Sequence, residues 1–211
     1  MPLDANRSRR SIRLPDYDYR TTGAYFVTIC THQREMLFDD PALRDVVKAT
    51  WQHIPHYNPR AQLDSWVVMP NHLHGIIVLA EEIEKGKESP GSGSLRDHIT
   101  PAETNSVQRR HSGEALPLLK GVLPGSLGAI IGNFKSVTAR RINQLRHTPG
   151  QPVWQRNYYE HIVRDERALN AIRQYIADNP ARWMWDTYNP SAAGPDTQAA
   201  DLWRLLREGP L

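Results

Sequence analysis

Residues 66 to 79, WVVMPNHLHGIIVL, limit the possible folds more than any other stretch. Two runs rich in β-branched and aromatic residues, AQLDSWVVM and HLHGIIVLA, are split by Pro70-Asn71, a turn signal, and read as two strands. His72 and His74 stand one residue apart at the start of the second run. Side chains at i and i+2 of a strand project to the same face, so the two imidazoles point together. A buried imidazole without a partner costs roughly 1–3 kcal/mol. Either each ring is bonded separately inside a core, or the two share a cation. His-x-His on a strand is a recurring metal-ligand spacing, and imidazole chemistry by itself favours zinc over magnesium, which prefers oxygen.

The flanking patterns build a fold around that pair. AYFVTICT (24–31) reads as a first strand. PALRDVVKATWQHI (41–54) reads as a helix with Pro41 in its first turn and Leu43, Val46, Val47, Thr50 and Ile54 at helical spacing. Residues 81–122 are charged and Gly/Ser-rich and predict a disordered insertion. Helical periodicity returns with Leu127, Ile131, Phe134, Thr138, Ile142 and Leu145, behind Ser126 as a candidate N-cap. Residues 152–163 look extended. A helix follows over 165–180, capped by Asp165 and stopped by Pro180. Its Leu169, Ile172 and Ile176 face the core, Tyr175 lies at the edge of that stripe, and Asn179 stands one turn beyond the tyrosine. A polar connector then leads to the amphipathic segment AADLWRLLRE.

That order predicts an α+β fold: a ferredoxin-like antiparallel sheet of the split βαβ kind, with helices packed on one face. The expected divisions are an arm at 1–23, a domain at 24–185 interrupted by the insertion, and a linker with a short helix at 186–211.

The single cysteine, Cys30, excludes an internal disulfide and a cysteine-based zinc cluster and suits a reducing cytosol. No apolar run reaches the ~18 residues of a membrane span, and the basic N-terminus lacks the apolar stretch of a secretory signal. The expectation is a cytoplasmic protein without a membrane partner. Net charge is only +3, so its distribution matters more than its size. Between Gly121 and Tyr159 no acidic residue occurs, whereas Lys135, Arg140, Arg141, Arg146 and Arg156 all do. Such a block attracts phosphates, although a solvated helix face has the same composition. The arm adds Arg9, Arg10, Arg13 and Arg20 beside Tyr17 and Tyr19, a mixture suited to stacking on unpaired bases or simply to a solvated terminus.

The phrases MPNHLHG, WQRNYYEH and YIADNP, in that order and behind RRSIRLPDYDYRTTGAYFVTICTHQREMLF, resemble the REP-associated tyrosine transposases. These are HUH single-strand endonucleases, related to the single-tyrosine transposases of small insertion sequences. The likeness spans roughly residues 9–80 and 125–185, leaving out the insertion and the tail.

The resemblance implies that His72 and His74 are metal ligands and Tyr175 the nucleophile. Asn179 takes the place of a polar third ligand, often glutamine in relatives, and His161 falls in a family motif that could also reach the metal. It implies Mg²⁺ or Mn²⁺ in place of zinc, a hairpin-bearing single-stranded DNA as partner, and a 5′-phosphotyrosine intermediate. Arg9, Arg10, Arg13, Tyr17, Tyr19, Arg20, Lys135, Arg140, Arg141 and Arg156 become candidate DNA contacts, in a nucleoid-associated monomer or homodimer. Two other readings stay open: a DNA-hairpin-binding module without chemistry, and a zinc hydrolase ligated by His72, His74 and His161.

Overall fold

Four strands form the sheet of the computed structural model, which describes residues 17–81 and 123–208. The expected insertion, apart from Glu81, lies outside the described residues, as do Arg9, Arg10 and Arg13. The strands are β1 (Gly23–Cys30), β2 (Ala61–Met69), β3 (His72–Leu79) and β4 (Tyr159–Val163). They lie in the order β2-β3-β1-β4, with antiparallel pairing throughout. Helix α1 (Pro41–Gln52), continued by the single turn α2 (Ile54–Tyr57), connects β1 to β2, and α3 (Leu127–Arg146) precedes β4. This is the split βαβ arrangement read from the sequence.

The expected helix starts are in place because each is capped by its own side chain. Asp40 accepts from the Ala42 amide ahead of α1, Ser126 from Ala129 ahead of α3, and Asp165 from Ala168 ahead of α4 (Glu166–Asp178). A 3₁₀ segment, Asn179–Trp185, extends α4, and α5 (Thr197–Glu208) closes the described chain.

Helices cover both faces of the sheet, not one. Tyr25, Val27 and Ile29 of β1 pack with Leu43, Val47 and Trp51 of α1 and with Leu127, Ile131 and Phe134 of α3. Phe26 of β1 and Ile76 of β3 pack with Ile172, Tyr175 and Ile176 of α4 and with Leu202 and Leu206 of α5. The physical reason is visible in the strands. Residues 25–30 of β1 and 72–77 of β3 are buried without a break, the pattern of strands covered on both sides. Two expectations about helix faces change accordingly. Leu145, placed in the α3 stripe, is 53% exposed, while Tyr175, placed at the edge of the core, is buried within it.

Candidate metal centre and tyrosine

β3 begins immediately after the Pro70-Asn71 turn, so its first and third residues, His72 and His74, project onto the face covered by α4 and α5. Pairing places His72 opposite Cys30 and His74 opposite Thr28 on the adjacent central strand. Both rings are fully buried. His72 Nδ1 donates to Asn71 Oδ1 at 2.9 Å, and Asn71 is fixed in turn by donating its Nδ2 to the Tyr188 carbonyl at 2.7 Å. His74 Nδ1 and Thr28 Oγ1 are hydrogen-bonded at 2.8 Å. Each ring is therefore held through Nδ1, which leaves Nε2 facing inward with no protein partner. Burial lowers the pKa of both rings, His74 to about 3, so both are neutral at physiological pH and carry a lone pair suited to a cation.

Opposite the histidines lie Tyr175 and Asn179, one turn apart at the end of α4. The Tyr175 ring sits 5.3 Å from that of His74, centroid to centroid. Burial and, secondarily, the Asp186 carboxylate raise its pKa, while the neighbouring Asn179 amide opposes that shift. Asp186 follows directly on the 3₁₀ segment. Its Oδ1 accepts from the Tyr188 amide at 2.6 Å, and its Oδ2 lies 3.6 Å from His72 Nε2. That separation is too long for a hydrogen bond. It suits two ligands of a single ion, each about 2.1 Å from the metal.

His72, His74 and Asp186 each offer one ligand atom, and these atoms lie within 4.8 Å of one another. The Nε2 atoms of the two histidines, Asp186 Oδ2, Asn179 Oδ1 and the Tyr175 hydroxyl are all buried without a hydrogen-bond partner. Native interiors rarely leave such groups unpaired, and here five fall in one site. Two imidazoles, a carboxylate and an amide oxygen fit a divalent cation.

The centre is enclosed. His72 and His74 are 0% exposed, Asp186 1%, and Tyr175 and Asn179 2%. Tyr188 covers it, with its ring 4.7 Å from that of His72 and 5.9 Å from that of His74. Arg34 stacks over Tyr188 at 5.0 Å and donates to the Thr187 carbonyl, clamping the segment from outside.

A Haemophilus influenzae protein, itself uncharacterized, is 38% identical over 189 residues, covering 84% of this chain and 91% of that one. The two chains belong to one family. No protein-family model matches this family member. Among solved structures it is similar to a REP-associated tyrosine transposase bound to a REP hairpin, at 15% identity over 82% of this chain and 75% of that one, with a TM-score of 0.47. It is also similar to a Deinococcus radiodurans chain provisionally named a transposase, at 17% identity over 79% of this chain and 95% of that one, with a TM-score of 0.39. Likeness at that level carries no activity across, so the site must speak through its own residues.

Not every residue singled out in the sequence reaches the centre. His161 lies on β4 opposite Phe26, one strand beyond β1 and two positions along from the row that holds His74, Thr28 and Tyr159. It is not among the clustered ligand atoms, where the third candidate is a carboxylate oxygen of Asp186. The expected His72, His74, His161 zinc set is therefore not assembled.

Lys135, Arg140 and Arg141 lie on α3, across the sheet from the histidines. Lys135 is half-buried and donates to the Gln155 and Arg156 carbonyls, so it anchors the loop bearing the exposed Arg156 and does not present a free ammonium group. Tyr17 and Tyr19 pack on Tyr25 at the edge of the core, with centroids 6.4 and 6.2 Å from its ring, and Arg20 is ion-paired with Asp18. Asp186, Tyr188, Asn71 and Thr28 escaped sequence reasoning. The only signal for the first two was an aspartate and a tyrosine set in the aromatic stretch RWMWDTYNP.

Proposed function

We propose that the protein is a metal-dependent single-strand DNA endonuclease and strand transferase of the REP-associated tyrosine transposase type. The observation that carries this reading is the convergence of five unpaired buried polar atoms, four of them suited to a cation and the fifth the hydroxyl of Tyr175.

His72, His74 and Asp186 would hold Mg²⁺ or Mn²⁺, with Asn179 Oδ1 as a further oxygen donor. When bound, the ion supplies Lewis-acid stabilisation to the non-bridging oxygens of a phosphodiester. Tyr175 is the nucleophile. Its oxygen forms a bond to phosphorus as the bond from phosphorus to the 3′-oxygen breaks. The phenol proton is lost and the departing oxygen ends as a 3′-hydroxyl. The product is a 5′-phosphotyrosine, in which the ester is conserved, so a second strand's 3′-hydroxyl reverses the step without an energy source.

Burial keeps the phenol protonated at neutral pH, so proton removal must accompany attack. The Asn71 and Thr28 bonds fix both imidazoles, so the donor set does not have to reorganise as charge develops. Tyr188 and its segment stand between the centre and solvent, and their displacement admits the strand. Arg140, Arg141 and Arg156, with the arm's Arg9, Arg10, Arg13, Tyr17, Tyr19 and Arg20, are proposed to grip the flanking DNA, and Lys135 to position the Arg156 loop.

The test is covalent capture. Wild type and Tyr175→Phe are incubated with 3′-labelled single-stranded hairpin DNA, with and without Mn²⁺, and resolved on denaturing gels. The expected result is a labelled protein band that needs the metal and vanishes in the variant. An adduct that survives Tyr175→Phe overturns the nucleophile, and tight hairpin binding with no adduct leaves the DNA-binding module as the function.

A further inference from the structure

A second site lies on the opposite side of the sheet. A cleft of about 150 Å³ opens between α1–α2 and α3. Its floor is apolar, formed by Ile54, Ile130 and Phe134, which are almost fully buried. One wall carries Tyr57, 62% exposed, whose ring is 5.2 Å from those of both His53 and His56. Tyr57 therefore offers an aromatic face to solvent at the wall of the cleft.

The polar groups around the opening include no acid. Asn58 and Asn133 offer amides, and Arg141 reaches across from α3 to donate to Thr50 Oγ1 at 3.3 Å. No carboxylate lines the cleft, and Arg141 makes no ion pair among the described residues. An apolar cleft with an exposed aromatic wall, amides at its rim and a guanidinium without a carboxylate partner matches the parts of a nucleotide. The ring stacks, the base edge meets an amide, and the phosphate meets the arginine. A volume of about 150 Å³ is on the scale of a single heteroaromatic base.

We infer that this cleft binds one unpaired nucleobase of a single-stranded segment of the substrate DNA, stacked on Tyr57 with its phosphate on Arg141. The inference rests on the proposed DNA substrate and extends it, since the cleft holds the strand at a point across the sheet from the Tyr175 centre.

The experiment compares binding of the full-length protein to a fluorescein-labelled thymidine oligonucleotide and to an abasic strand of the same length and charge. Tyr57→Ala removes the stacking wall, and Asn133→Trp fills the cleft without changing charge. Both positions are exposed, and circular dichroism checks the fold. In the wild type the base-bearing strand is expected to bind about 10-fold tighter than the abasic one, the scale of one stacked base. Both variants are expected to lose that preference while binding the abasic strand as the wild type does. Arg141→Ala is expected to weaken both strands alike.

Equal affinity of wild type and both cleft variants for the thymidine strand overturns the inference, also if the variants change self-association, which would assign the cleft to a protein contact. The two proposals fail separately. A metal-dependent adduct with unchanged Tyr57→Ala binding leaves the strand-transferase reading intact and removes the cleft. A lost base preference with no adduct does the reverse.

Discussion

At the scale of single residues, the histidine pair is held neutral by burial. The unfolded chain binds protons on these rings with a pKa near 6.5, while the folded chain refuses them, to about pH 3 for His74. Stability from each ring is therefore complete above pH ~6.5 and declines as pH falls below it, by up to about 1.4 kcal/mol per pH unit, with the His74 contribution lost by about pH 3. Asp186 works in the opposite sense, because burial raises its pKa and its charged form costs stability at neutral pH. Thermal melting of metal-free protein between pH 7 and pH 4 is expected to show a falling midpoint, steeper than in a His74→Gln variant. An equal slope in the two would mean that His74 is not the titrating group. His72 and His74 were legible in the sequence because a strand's period of two leaves no freedom in where they point. Asp186 was not, because no periodicity governs a connector. Its place is set by its own turn onto Tyr188 and by Asn71 gripping that segment from 117 residues away.

At the scale of elements, the glycine in HLHG explains how a helix approaches the strand that carries the histidines. Gly75 sits under Trp51 of α1, and a Cβ there would lie 2.5 Å from Trp51 Cζ2. Trp51 is fully buried and cannot swing away. Gly75→Ala is expected to cost about 1–3 kcal/mol, the range for overpacking a filled core, measured by urea unfolding. A loss below half a kcal/mol would mean α1 shifts freely. Helix starts were legible because Pro41 marks the first turn of α1 and Ser126 and Asp165 are local caps, whereas the Asp40 cap emerged only from the structure. The covering of both sheet faces was foreshadowed by the apolar residues that fall on both faces of β1 and β3, such as Tyr25 and Phe26 or Ile76 and Ile77. It was obscured because α5 lies far along the chain, and only its packing on Phe26 and Ile76 reveals which face it serves.

At the scale of the whole molecule, the sheet separates two surfaces. One holds the enclosed donor set and tyrosine, and the other carries α3 with Arg140 and Arg141 and the cleft beside it. No helix among the described residues is long and apolar enough to cross a membrane. If the basic helix grips phosphate, hairpin affinity falls with salt, and Arg140→Ala reduces the log–log slope by about 1. An unchanged slope would remove Arg140 from the DNA surface. The measurement that bears most directly on the account is anomalous diffraction at the manganese edge from crystals grown with Mn²⁺, for wild type and Asp186→Asn. A single peak bounded by His72 Nε2, His74 Nε2 and Asp186 Oδ2, weakened or lost in the variant, is the expected result. Ordered crystals with no peak there, or with Mn²⁺ bound elsewhere, would contradict the metal centre and the strand chemistry built on it.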